Sequence, residues 1–259
     1  PWDLLRYRWH KACLKEYLRN VVTSLSILLI KWIDPTKATH GMALASTPST
    51  YEILRKNRIN CVLLPTIGVD SVERFEVREI NTTGLKLLYV GRLIYMKGVH
   101  LLLEAFASVD REGVHLTIVG DGSEMNWLKS LAVTLKVEGQ VTFCGRVKKE
   151  NLKEYYLSHD VLLAPSFYES GGFTVLEAFS YSMPAIVTDV GGLAMSVDDQ
   201  CGTKVSVTSA HNCLLELVEA IQKYYDFPEL RKTHGDQGYK NLNEKYLWSL
   251  KRETVEKIY

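Results

Sequence analysis

Residues 85–120 read LKLLYVGRLIYMKGVHLLLEAFASVDREGVHLTIVG, and this stretch decides the fold. Its ends, LKLLYVG and VHLTIVG, are short apolar runs of the kind that form strands buried on both faces. Between them, Val99 to Ser108 carries apolar residues at spacings of three and four, the mark of a helix with one buried face. Strand, helix and strand in that order make a parallel β-α-β unit.

The pattern continues downstream. QVTFCG (140–145), DVLLAP (160–165), MPAIVTD (183–189) and TKVSV (203–207) are further strand-like runs, and helical spacing recurs over Trp127–Val137, Leu152–Ser158 and Val175–Ser182. The class is therefore α/β, with a doubly wound parallel sheet. Right-handed crossovers gather the loops that follow the strands along one edge, where open α/β sheets bind ligands. After Ser209, helices are expected over Cys213–Tyr225, Pro228–Lys240 and Asn243 to the end.

Upstream, Leu4–Arg19 reads as a basic amphipathic helix, Met42–Ser46 and Cys61–Leu64 as strands, and Ser49–Lys56 as a helix begun by Pro48 and Ser49. PTIGVD (65–70) is a turn-rich break, followed by the charged ERFEVREINTTG. Two strands are too few for an independent sheet domain. Residues 1–70 are thus expected to be the C-terminal part of an N-terminal domain whose beginning is missing, 71–84 a linker, 85–241 a complete sheet domain and 242–259 a closing helix.

A chain of 259 residues, 24% charged and 46% apolar or aromatic, is neither a disulfide miniprotein nor disordered. A net charge of +1 excludes a basic nucleic-acid coat, and no nucleic-acid partner is expected. The first 60 residues hold ten Lys/Arg against four acids. That imbalance suits either a solvated helix face or a peripheral contact with an anionic membrane or acidic acceptor. Val21–Ile33, at thirteen residues and broken by Lys31, falls short of the ~20 a bilayer requires and reads as a buried helix rather than an interfacial one. Five cysteines, Cys13, Cys61, Cys144, Cys201 and Cys213, form an odd set without a C-x-x-C pair, which favours a reducing, cytoplasmic setting. No histidine pair has ligand spacing, so neither a metal nor a cofactor is expected.

Two loops carry chemistry. In GRLIYMKG (91–98), Gly91 lets the backbone turn at a strand end, and Arg92 and Lys97 hang over the sheet edge beside a helix N-terminus. Two fixed cations there could hold a diphosphate, although an ordinary solvated loop looks the same. In PSFYESGGFTVLEAF (165–179), Glu169 follows a strand, Gly171 and Gly172 expose amides, and a helix starting near Phe173 aims its positive end at the same place. Glu177 lies further along that helix, where a carboxylate can accept hydrogen bonds from a vicinal diol such as a ribose. GDGSEM (120–125) begins like the dinucleotide fingerprint G-x-G-x-x-G but puts Met125 at the third glycine, and no P-loop is present. No Asp-x-Asp pair exists to carry a metal-bound diphosphate.

In order, the segments LLYVGRLIYMKGVHLLLEAF, LTIVGDGSEM, VTFCGRV and YYLSHDVLLAPSFYESGGFTVLEAFSYSMPAIVTDVGG, with a late PELRK, resemble retaining glycosyltransferases of family 4, and TIGVD is similar to that family's interdomain hinge. The resemblance implies a GT-B fold, a doubly wound Rossmann-like sheet beside an incomplete second Rossmann-like domain. It further implies a nucleotide-diphosphate sugar (UDP or GDP) as donor and a glycan or lipid-linked acceptor. By the same resemblance Arg92 and Lys97 neutralise the donor diphosphate and Glu169 lies near the transferred sugar. Gly91, Ser170, Gly171, Gly172, Phe173 and Thr174 would line the donor, Arg146 and Val147 would meet the base, and Glu177 would hold the ribose. The chain departs from the family pattern at Glu169-Ser-Gly-Gly, where Glu-Gly-Phe-Gly is usual, and at Met195, where an acid often follows the Gly191-Gly192 pair. A donor-binding module without activity of its own is the alternative reading.

Overall fold

The computed structural model describes residues 42–70 and 82–257. The helix expected over Leu4–Arg19, the stretch Val21–Ile33, Cys13 and most of the linker lie outside them. In chain order the elements are β1 (Ala43–Ala45), α1 (Pro48–Lys56), β2 (Cys61–Leu63), β3 (Leu85–Val90), α2 (Val99–Ala107), β4 (Val114–Val119), α3 (Met125–Thr134) and β5 (Val141–Gly145). There follow α4 (Leu152–Ser158), β6 (Val161–Ala164), α5 (Phe173–Ser180), β7 (Ala185–Thr188), α6 (Gly191–Ser196), β8 (Gly202–Val205), α7 (Ala210–Asp226), α8 (Glu229–Lys245) and α9 (Trp248–Glu256).

Strands β3 to β8 form one parallel sheet in the order β5-β4-β3-β6-β7-β8. Because the chain first winds outward from β3 to β5 and then restarts at β6 on the other side of β3, the order reverses between β3 and β6. That reversal opens a crevice at the carboxyl ends of the two strands. Alternation along β3 sends Leu85, Leu87 and Tyr89 into a core shared with α2 and α7, and Leu88 into one shared with α5. Both faces of the sheet are covered, which is why its strands read as continuous apolar runs. Strands β1 and β2 pair in parallel as a separate two-stranded sheet, with Ala43 opposite Cys61.

Helix ends differ most from expectation, and two of them, those of α3 and α5, differ for one reason. Helices α1, α3 and α5 each stop at a non-glycine residue in the left-handed region: Arg58 (φ 57°), Lys136 (φ 60°) and Ser182 (φ 49°). The next amide reaches back to close each end, Ile59 to the Leu54 carbonyl, Val137 to that of Ala132 and Met183 to that of Ala178, all at 3.0 Å. Glycine normally marks such a cap. With other residues in its place, the expected helices ran on to Val137 and Ser182, whereas the observed ones end at Thr134 and Ser180. The six-residue α6 was not expected, and α8 continues to Lys245.

The last helix begins at Trp248 rather than Asn243 because Tyr246 and Leu247 are drawn into a backbone contact with Val69. Val69 bridges Leu247: its amide donates to the Tyr246 carbonyl and its carbonyl accepts from the Trp248 amide, each at 2.9 Å. Lys251 of α9, buried at 5% exposure, donates to the carbonyls of Pro65 (2.6 Å) and Ile67. Its ammonium also lies over the rings of Tyr246 and Trp248, at 5.4 and 5.3 Å.

Candidate functional site

The loop after β3 is held on both sides. Towards β4, Leu93 donates to the Asp121 carbonyl and accepts from the Glu124 amide, both at 2.9 Å. A side chain at Gly120 would come within 1.8 Å of the Gly91 carbonyl, and one at Gly122 within 2.3 Å of the Leu93 carbonyl. The glycines of GDGSEM therefore serve close packing of two loops, while Met125 packs into the core where a dinucleotide fingerprint would need its third glycine. Towards β6, Phe167 donates to the Met96 carbonyl at 2.9 Å, and Gly98, at φ 68°, has no room for a Cβ, which would fall 1.9 Å from the Pro165 carbonyl. Beneath this loop the Tyr89 hydroxyl donates to the Arg92 carbonyl at 3.0 Å. Burial, reinforced by the charge of Glu169, pushes that phenol well above its ordinary pKa, so it stays a donor.

The loop after β6 is fixed as firmly. Thr188 donates its hydroxyl to the Ser166 carbonyl at 2.5 Å, and the Gly192 amide donates to the Glu169 carbonyl at 2.8 Å. A Cβ at Gly191 would meet that same carbonyl at 2.0 Å, and one at Gly171 would strike Ile67 of the hinge at 2.6 Å. Gly172, at φ 83°, then turns the chain into α5. With the Glu169 backbone pinned, its carboxylate is delivered to the Lys97 ammonium in direct contact, each side chain about one-fifth exposed.

Two adjoining hollows occupy the crevice. One, of about 180 Å³, is bounded by Tyr89, Gly91, Arg92, Lys97, Ser166, Glu169, Phe173 and Thr174. The other, of about 570 Å³, is bounded by Gly91, Arg92, the backbone turn at Gly120–Gly122, Arg146, Val147 and Leu152. They meet at Val90–Arg92, so Arg92 stands at their junction. Eight of the twelve expected site residues thus come together as lining: Gly91, Arg92, Lys97, Arg146, Val147, Glu169, Phe173 and Thr174; Gly172 is the cap of the helix that presents Phe173. Ser170 points to solvent, and Gly171 is buried against the hinge. Glu177 is outside both linings; its carboxylate accepts a 2.7 Å hydrogen bond from Tyr156 of α4.

Sequence reading missed Tyr89, Tyr156, Ser166 and the Gly120–Gly122 turn as parts of this region. The tyrosines are hidden inside apolar periodicity, and the turn was weighed only as a nucleotide fingerprint. Among the described residues no group of three His, Cys, Asp or Glu is arranged to hold a metal, and no helix is long and apolar enough to cross a membrane. Four cysteines are free thiols, Cys201 and Cys213 fully buried.

A crevice of this kind, at the reversal point of a parallel sheet, is where doubly wound Rossmann-like folds bind their ligands. Residues 70–241 match the family described as glycosyl transferases group 1, and the chain belongs to it. An uncharacterized glycosyltransferase of Methanocaldococcus jannaschii is 32% identical over 171 residues, covering 65% of this chain and 43% of the relative. Among solved structures, the sucrose-phosphate synthase of Thermosynechococcus elongatus superimposes with a TM-score of 0.69 at 24% identity, over 84% of this chain and 57% of that one. The pneumococcal O-GlcNAc transferase, in complex with UDP and GlcNAc, gives 0.68 at 21% identity, over 84% and 44%. The fold is the expected GT-B type, and the chain spans only 43% to 57% of the length of these three proteins.

Proposed function

We propose that the chain carries the donor-binding half of a retaining family 4 glycosyltransferase, which moves a sugar from UDP or GDP to a glycan or lipid-linked acceptor. The observation that carries this reading is the meeting of the two hollows at Arg92, with Lys97 and Glu169 on the smaller side. A nucleoside would fill the larger hollow and the sugar the smaller, leaving the diphosphate between Arg92, Lys97 and the amides ahead of α5. Transfer breaks the bond between the anomeric carbon and the diphosphate oxygen. The chief requirement is stabilisation of the charge that develops there, which fixed cations and amides supply without reorganisation. Glu169 would orient the sugar hydroxyls, and attack from the leaving-group face would retain configuration. No metal is required, because Arg92 and Lys97 meet the charge. The work would be cytoplasmic, with any membrane contact falling to the basic N-terminal segment.

Calorimetric titration with UDP, GDP and their hexose conjugates, with and without chelator, tests the reading. Binding of one nucleotide series, unaffected by chelator, is expected. Binding of neither series would sink it. Binding without donor hydrolysis or transfer would instead favour the non-catalytic donor module, which the partial coverage of its relatives keeps in play.

A further inference from the structure

Glu177, to which the resemblance assigns the ribose, lines neither hollow, and its carboxylate is held by a residue with no role assigned above, Tyr156. Tyr156 is 1% exposed, and its ring stacks on that of Tyr181 at 5.4 Å with only 7° between the planes. Its hydroxyl donates to Glu177 Oε2 at 2.7 Å. Burial and the neighbouring Glu177 charge push the phenol well above its ordinary pKa, so the proton stays on the tyrosine, which remains a donor. Tyr156 packs in the same buried cluster as Val147 and Leu152, two residues that wall the larger hollow. It thereby ties α4, beside that wall, to α5, which carries Glu177 and begins at the smaller hollow.

We propose that Tyr156 is a positioning residue that aims the Glu177 carboxylate at the ribose diol, and so sets how strongly the site prefers ribonucleotides over deoxyribonucleotides. The proposal rests on the donor reading above. A carboxylate oxygen has two acceptor positions, and a phenol fixed on one of them locks the rotamer and leaves acceptor capacity for a sugar hydroxyl. Without the hydroxyl, Glu177 would keep its charge but lose its direction, and a hydrogen bond that depends on direction weakens steeply with angle.

The test compares UDP, 2′-deoxy-UDP and inorganic pyrophosphate (or the guanosine pair, if that series binds) on the wild type, Tyr156→Phe, Glu177→Ala and the double variant. Tyr156→Phe should leave pyrophosphate affinity unchanged and shrink the ribo-to-deoxy preference by about two- to tenfold, the range of one directional hydrogen bond. The double variant should be no worse than Glu177→Ala alone. Wild-type preference in Tyr156→Phe would overturn the proposal, and so would equal losses for all three probes, which a merely structural role predicts. Full preference in Glu177→Ala would instead remove the ribose assignment itself, and the proposal with it. A crystal structure of the wild-type protein with UDP gives a check independent of the variant's folding: Tyr156 must stay on Oε2 while a ribose hydroxyl reaches Glu177, and a nucleoside bound away from Glu177 would overturn the proposal.

Discussion

Lys97 and Glu169 touch through their charged ends although 72 residues separate them in sequence, and this contact joins the loop after β3 to the loop after β6. Each group neutralises the other. On the proposed donor reading, a diphosphate would compete with Glu169 for the ammonium.

Replacing Lys97 with Ala should weaken UDP or GDP binding by about 1.5–3 kcal/mol, the worth of a charged hydrogen bond, or roughly 10- to 150-fold in Kd. Titration calorimetry reads this directly. Unchanged affinity would place the diphosphate elsewhere.

Glu169→Gln should act in the opposite direction on nucleotide binding. The pair is partly exposed, and such pairs are worth up to about 1 kcal/mol, so freeing Lys97 should tighten UDP binding by no more than roughly fivefold. Binding of the sugar conjugate should gain less, because a carboxylate facing the sugar is lost. An equal gain for UDP and UDP-hexose would argue against a sugar contact at Glu169.

Gly98→Ala should destabilise the fold as well as the site. At φ 68°, with the Pro165 carbonyl 1.9 Å from a Cβ, the loop after β3 must separate from that after β6. We expect a loss of about 2–3 kcal/mol in urea denaturation, the scale of a strained non-glycine position.

Lys251 makes stability pH-dependent. Burial pulls its pKa down to about 8, below the 10.5 of an unburied lysine. Between those values the unfolded chain binds the proton that the native protein has released, so this group adds stability as pH rises from about 8 to 10.5 and adds none of that increment below 8. Urea midpoints of wild type and Lys251→Met, taken between pH 7 and 10, should converge or cross in that direction. Parallel curves would refute the assignment.

The sheet and the order of its units were legible because both faces are covered. Strands such as β6 and β7, buried at every position, leave a continuous apolar signal in sequence. The cations and Glu169 were legible because strand ends and glycines mark the loops that carry them. Helix ends closed by Lys136 and Ser182 were not, since no local rule places those residues in the left-handed region. Tyr156 escaped for a different reason. Its partner lies on another helix, and a lone tyrosine in an apolar stripe reads as core until the fold brings Glu177 to its hydroxyl.

The bridge between Val69 and Leu247 also bears on the order of assembly. Every pairing of the six-stranded sheet joins strands within residues 85–205, whereas this bridge encloses the whole interval from 70 to 246. Closing so long a loop costs more chain entropy than closing a single β-α-β unit. The hinge clasp should accordingly form after the sheet and open before it, so amides of Val69 and Trp248 should exchange with solvent earlier than those of β3. The clasp is thus expected to be less committed than the sheet, and Ile67 beside it is the point at which it touches the crevice loop, against Gly171.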